Sequence, residues 1–255
     1  MPRRRFTGAR RHIPCRSSTA PPNCSTRPDA SGPTHTRIGP ASSSAFAPGG
    51  SPAFSGLIEA ILAQQGHAHI LDLGGTETYW LIGEEFVRAN RDRLHFTIVN
   101  TEEQNIQRRS LFSFEHGSAT DQSLFAGRRF DLVHSNSVIE HVGIWPDMEA
   151  FAANTRRLAP RYYVQTPNYW FPYEPHFRTP GFQYLPERVR AALIMRFALG
   201  FFDRIEDRET AEDIIYHHRL LSTRQMRRLF PDAAIGHEKF AGANKSILAI
   251  RDAGV

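Results

Sequence analysis

Residues 70–80 read Ile-Leu-Asp-Leu-Gly-Gly-Thr-Glu-Thr-Tyr-Trp, and they constrain the fold more than any other stretch. An apolar run (Ile70, Leu71, Leu73) stops at Gly74–Gly75 and gives way to polar residues. That pattern predicts a buried strand ending in a tight turn. In open α/β sheets, ligands bind where strands end and loops turn into helices. Glycine at such a turn lets backbone approach a ligand closely. The dinucleotide fingerprint Gly-x-Gly-x-x-Gly is absent here. A pyrophosphate favours neutral backbone and a helix N-terminus. An acid at the turn, Asp72, suits a cationic or hydroxyl-rich ligand instead.

The rest of the chain alternates helix and strand periods. Apolar residues at helical spacing (Phe54, Leu57, Ile58, Ile61, Leu62) predict a helix before that strand. A helix is expected over about 82–92, and strands over 94–99, 112–116, 130–135 and 161–165. Pro146 opens a helix with Met148, Phe151, Ala152 and Leu158 on one face. Residues 167–186 hold five prolines and many aromatic rings, which predicts an irregular, ring-rich loop. After Pro186 the spacing of Val189, Ala192, Leu193 and Phe197 predicts a helix buried on that face. Ser222-Thr-Arg-Gln225 has the form of a capping box. Residues 235–238 and 246–250 can pair as a terminal antiparallel hairpin. Strands alternating with helices imply a largely parallel sheet covered on both faces.

Residues 1–50 carry eight arginines against one acid, a net of +7, which leaves the remainder near −2. The basic isoelectric point therefore belongs to this Pro/Ser/Gly-rich segment, which is expected to be a disordered tail. It is no reason to read the folded part, 51–255, as a nucleic-acid binder. Both cysteines, Cys15 and Cys24, lie in the tail, so the folded part has no thiolate metal site. No apolar run reaches the ~18 residues of a membrane span. The chain reads as soluble and cytoplasmic, and nothing in it speaks to oligomeric state.

Asp72 and Gly74 match the first motif, Asp-x-Gly-x-Gly-x-Gly, of class I S-adenosylmethionine-dependent methyltransferases, which the chain resembles from about residue 54 to 251. Thr76 and Thr78 stand where that family has further glycines. The resemblance implies an α/β fold with a doubly wound, mostly parallel seven-stranded sheet, Rossmann-like, and an antiparallel C-terminal hairpin. It implies S-adenosyl-L-methionine as cofactor. Asp72, Gly74, Gly75 and Thr76 would line the first turn. Glu102, just past the second strand, would hold the ribose hydroxyls, because a carboxylate offers two acceptor oxygens. Ser118 and Ala119, in a Gly-Ser-Ala-Thr-Asp loop, would contact the adenine. Ser135 and Asn136 would lie beside the reacting methyl.

If the acceptor is a hydroxyl, a base must take its proton, and histidine is the usual choice. His176 and His141 are the candidates, Glu174 the next, with the loop and insert at about 167–218 forming the acceptor-binding lid. A related RNA-methylating family holds a metal with Glu-x-x-Glu-His-His. Here Ser137 and Val142 occupy two of those positions. One His–Glu pair offers too few ligands, so no metal is expected. The function implied is methyl transfer, expected to be O-methylation, on a small-molecule or sugar-like acceptor. A non-catalytic binding protein of the same fold and an RNA-modifying methyltransferase are the alternatives.

Overall fold

A computed structural model describes residues 52–81 and 84–253. The expectation for the tail lies outside the described residues. Helix α1 (Pro52–Gln65) leads into strand β1 (Ala68–Leu73), then α2 (Glu77–Leu81) and α3 (Glu84–Ala89). Strands β2 (Leu94–Asn100), β3 (Phe112–His116) and β4 (Leu132–Asn136) follow, with a 3-10 turn at Ile139–His141. Helix α4 (Trp145–Leu158) precedes β5 (Arg161–Pro167). An insertion holds β6 (Tyr173–Glu174), β7 (Thr179–Pro180), α5 (Glu187–Arg196) and α6 (Arg208–Tyr216). Helix α7 (Thr223–Leu229) and the hairpin β8 (Ala234–Phe240) and β9 (Ala243–Arg251) complete the chain.

The main sheet runs β3-β2-β1-β4-β5-β9-β8. The first five strands are parallel, and β9 pairs antiparallel with both β5 and β8. This is the doubly wound, seven-stranded α/β sheet with an antiparallel C-terminal hairpin. The order reverses between β1 and β4, so a switch point opens at their carboxyl ends. Among the described residues no helix is long and apolar enough to cross a membrane.

Side chains alternate across the two faces of each strand. Ile70, Phe96, Ile98 and Leu132 pack against Phe54, Leu57, Ile58, Ile61 and Leu62 of α1. Leu71, Leu73, Val133 and Val164 pack against Met148, Phe151, Ala152 and Leu158 of α4. The central strands are therefore buried on both faces, as parallel strands under two helical layers are. Both helices bury the residues their spacing predicts. The capping box is formed as well: Ser222 Oγ accepts from the Gln225 amide, and Gln225 Oε1 accepts from the Ser222 amide.

Four elements differ from expectation. Of the helix expected over 82–92 the described residues show the shorter α3, and a further short helix, α2, lies ahead of that range. Strand β4 starts at Leu132, because Asp131 is committed to the backbone of His69: its carboxylate accepts from that amide at 2.7 Å. The ring-rich loop contains the β6–β7 ribbon. Helix α5 forms, but it turns Ala191 and Ile194 inward, leaving Val189 42% and Phe197 53% exposed. Its partner is not the sheet. Phe177, Phe182, Phe202, Ile205, Ala211, Ile214 and Ile215 make a separate small core with Ala191 and Ile194.

The two cores predict different mutational costs. Phe151→Ala opens a cavity in the main core and should cost about 3–5 kcal/mol in chemical denaturation. Val189→Ala should stay within about 0.5 kcal/mol of the parent; a comparable loss at Val189 would contradict the packing described.

Candidate active site

The turn after β1 is built from below. Asp72 and His134 are register partners on adjacent parallel strands and face the same side of the sheet. Both are buried, Asp72 to 1% exposure. His134 Nδ1 donates to Asp72 Oδ1 at 2.8 Å, and the Trp80 indole Nε1 donates to Asp72 Oδ2 at 2.7 Å. Because a carboxylate only accepts, the proton on that histidine sits on Nδ1. Trp80 is fully buried and packs its ring on Phe54 and Phe96. A buried carboxylate is tolerated when its oxygens are hydrogen-bonded, and here each has a donor.

The two glycines fit around that carboxylate. A Cβ on Gly75 would lie 1.7 Å from Asp72 Oδ2. Gly74 has φ of +79°, and a Cβ there would meet the Val138 side chain at 2.5 Å. Only glycine suits either position. Asp72 was expected to face a ligand directly. Its carboxylate is instead closed beneath the turn, held by Trp80 and His134, so its contribution is to support the turn from inside.

The rim of the switch point carries the remaining expected residues. Thr76 accepts from the Tyr79 amide at 3.3 Å and caps α2. At the end of β2, Asn100 donates to the carbonyls of Gly74 and Gly75 and accepts from the Glu102 amide. The Glu102 side chain is exposed. Ser118 bonds its own loop at Thr120, and the Ala119 carbonyl accepts from Asn154 at 2.8 Å. Ser135 is buried and donates to the Leu73 carbonyl, tying β4 to β1. Asn136 is half-buried and donates to the Tyr79 hydroxyl at 3.0 Å. Burial, then the nearby Asp72 charge, raises the Tyr79 phenol above its ordinary range, so it stays protonated.

A second cluster lies where β4 and β5 end. Glu140 and His141 sit on the 3-10 turn after β4. Glu140 is fully buried; its Oε2 accepts from Thr166 on β5 at 2.9 Å, and its Oε1 has no hydrogen-bond partner. Burial pushes its carboxyl up to about 7. The insertion brings His176 against His141, with the two Nε2 atoms 3.1 Å apart. Glu174 Oε1 accepts from His176 Nδ1 at 2.7 Å, and its Oε2 accepts from the Phe177 amide. Burial disfavours charge on His176, but the Glu174 hydrogen bond and the Glu174 and Glu140 charges outweigh it and raise its pKa. Burial, then His176, holds His141 well below its ordinary value. Burial, then His176, lowers His218 to about 4.

His141 on one side and Glu174 and His176 on the other, candidates from two distant parts of the chain, are thus brought together. His217–His218 reads as a surface pair, yet His218 is buried with its ring 4.6 Å from His141 and 4.9 Å from His176. Sequence reasoning gave no role to Trp80 or His134 and preferred Glu102 to Asn100; it set Thr166 at the strand end without its Glu140 partner. Strand alternation carried a signal for His134, which it sets beside Asp72. The others depend on tertiary contacts that periodicity does not encode.

No protein-family model matches the chain. Two uncharacterized proteins of Mycobacterium tuberculosis, from strains CDC 1551 / Oshkosh and H37Rv, are 41% identical to it over 63 residues, 24% of this chain. The match spans 21% of the length of those curated relatives. Among solved structures, an O-methyltransferase family protein from Burkholderia thailandensis aligns at TM-score 0.44 and 15% identity, over 79% of this chain and 57% of that one. The N-terminal domain of EvdMO1 with SAH bound aligns at 0.45 and 13%, over 78% and 81%. The N-methyltransferase NodS from Bradyrhizobium japonicum WM9 aligns at 0.40 and 10%, over 78% and 93%.

The glycine turn makes a stability prediction. Gly75→Ala should lower the thermal midpoint far more than Gly56→Ala, whose added Cβ meets nothing within 4 Å. Trp80→Phe, which strips one donor from the buried Asp72 carboxylate, should cost about 1–3 kcal/mol or more. Equal midpoints for the two alanine variants would refute the described fit.

Proposed function

We propose that the chain transfers the methyl group of S-adenosylmethionine to an oxygen of a small or sugar-like acceptor. One observation carries the reading: the glycine turn at the switch point touches Val138, two residues before the Glu140–His141 step. A site for a hydroxyl-rich cation and a site for proton chemistry therefore share one edge of the sheet. The rim fits such a cofactor. Glu102 presents an exposed carboxylate for two adjacent hydroxyls. Gly74 and Gly75 carry no side chain at the turn, and Thr76, Ser118, Ala119, Ser135 and Asn136 lie at or just past the carboxyl ends of β1, β3 and β4. Asp72 acts through the turn and not by contact.

The cofactor supplies a methyl already activated by positive sulfur, so the residues of this chain mainly align and deprotonate. Holding two reactants in line can contribute about 7–11 kcal/mol. With the cofactor bound, transfer of its methyl to an acceptor hydroxyl would leave the electron pair of the broken carbon–sulfur bond on sulfur and release one proton, which Nε2 of His141 would take. That ring is the accessible one of the pair, its side chain 24% exposed. His176 stands behind it, oriented by Glu174. The aromatic insertion, with Trp170 and Tyr184 exposed side by side at 6.2 Å, suits a sugar-like ring.

Calorimetry of the full chain with S-adenosylhomocysteine tests the cofactor half. Binding is expected, with Glu102→Ala weakening it about 10–100-fold, the range of a hydrogen bond to a charged group. His141→Ala should leave that affinity alone and slow methyl transfer by about 10²–10⁴. The closed Asp72 carboxylate favours one competitor, a non-catalytic protein of the same fold. Well-folded protein that takes up no cofactor would decide for it.

A further inference from the structure

The hydrogen bonds around the histidine cluster determine which ring nitrogens carry protons. His141 Nδ1 faces the His217 carbonyl at 2.9 Å, His176 Nδ1 faces the Glu174 carboxylate at 2.7 Å, and His218 Nδ1 faces the Ile214 carbonyl at 2.6 Å. All three partners only accept, so all three Nδ1 atoms carry hydrogen. Each neutral ring therefore presents a lone pair at Nε2. Two of these lone pairs face each other at 3.1 Å, and the third, on His218, is buried with no partner. The partnerless Glu140 Oε1 completes the set: Glu140, His141 and His176 offer ligand atoms within 4.8 Å of one another. While His176 is neutral these lone pairs repel one another, and a positive group among them, a proton or a metal ion, relieves the repulsion.

We propose that Glu140, His141 and His176 bind a divalent cation of the zinc type, with His218 at the edge of the site. Zinc takes imidazole nitrogen at about 2.0–2.1 Å and carboxylate oxygen at about 2.0–2.2 Å. Two nitrogens at that range around a tetrahedral ion stand roughly 3.3 Å apart, close to the observed separation. The outer contacts have the form metal sites use: each ligating ring donates its other N–H to a carboxylate or backbone carbonyl, which sets its tautomer and orientation. Mixed imidazole and carboxylate donors suit zinc, iron or nickel more than magnesium or calcium. The single His–Glu pair visible in sequence is too few ligands; the fold adds His176 from the insertion.

The binding claim stands without the methyl-transfer reading. Only its consequence rests on that reading: with the ion in place, the acceptor oxygen is activated by the metal in the position where His141 otherwise takes the proton.

The test uses the full chain, stripped with chelator and titrated with Zn²⁺ or Co²⁺ alone. The expected result is one ion per chain and a cobalt visible spectrum of nitrogen and oxygen ligands. His176→Asn and Glu140→Gln should each lose at least tenfold in affinity, while Trp170→Ala, on the exposed surface, keeps it. Should those variants misfold by circular dichroism, Glu174→Gln takes their place, with a 10–100-fold loss expected for an outer partner. No uptake by folded wild-type protein would overturn the proposal. So would unchanged affinity in the ligand variants, or near-ultraviolet thiolate-to-cobalt absorption alone, which would assign the ion to Cys15 and Cys24. Cofactor binding by calorimetry is read separately, so either reading can fail without the other.

Discussion

The buried Asp72 carboxylate organises the whole switch point. It lies on the face of β1 that packs against α1, where an unpaired charge would cost several kcal/mol. His134 and Trp80 each donate to it, so strand β4 and helix α2 are bound to β1 by the same group. Gly75 lies against it because no side chain fits there. Asn100 and Ser135 then fasten the turn to the ends of β2 and β4. A polar group buried at the meeting of three strands thus defines one turn geometry. Its hydrogen bonds discriminate between registers in a way that apolar packing alone would not.

The parallel core was legible from the residues because burial there follows simple periods. Phe54 to Leu62 and Met148 to Leu158 repeat at helical spacing, and each stripe is buried as its spacing implies. The strand order could be expected because alternating strands and helices leave few topologies. Helix α5 shows the limit. Its spacing pointed to Val189 and Phe197, but the surface that buries it belongs to Phe177, Phe202 and Ile214, brought there by the insertion itself. Periodicity reports that a helix is amphipathic; it reports the buried face only when the stripe is unambiguous, and α5 has apolar residues all round.

The site was legible to a different depth. Gly74–Gly75 and the acid beside them marked a turn from sequence, and the turn is there. The direction in which Asp72 points was not marked, although strand alternation contained it: Ile70 and Asp72 share a face, and Ile70 packs on α1. For the histidine cluster the sequence offers His141, His176 and Glu174 as candidates, but no signal that they meet and none for His218. Glu140 and His141 are 33 or more residues from Glu174 and His176, and a further 42 separate His176 from His218.

The insertion is what converts these separate residues into a site. Its small core, around Phe177 and Phe182, positions the β6 segment so that Glu174 can orient His176 against His141. The Phe177 amide bonds the same Glu174, so the core and the cluster share a residue pair and fold together. Glu140 stays buried with an oxygen unpaired only while that cover is in place; without it, water would reach the carboxylate and satisfy it. A positive group in the cluster, a proton or a metal ion, would satisfy that oxygen in place of water.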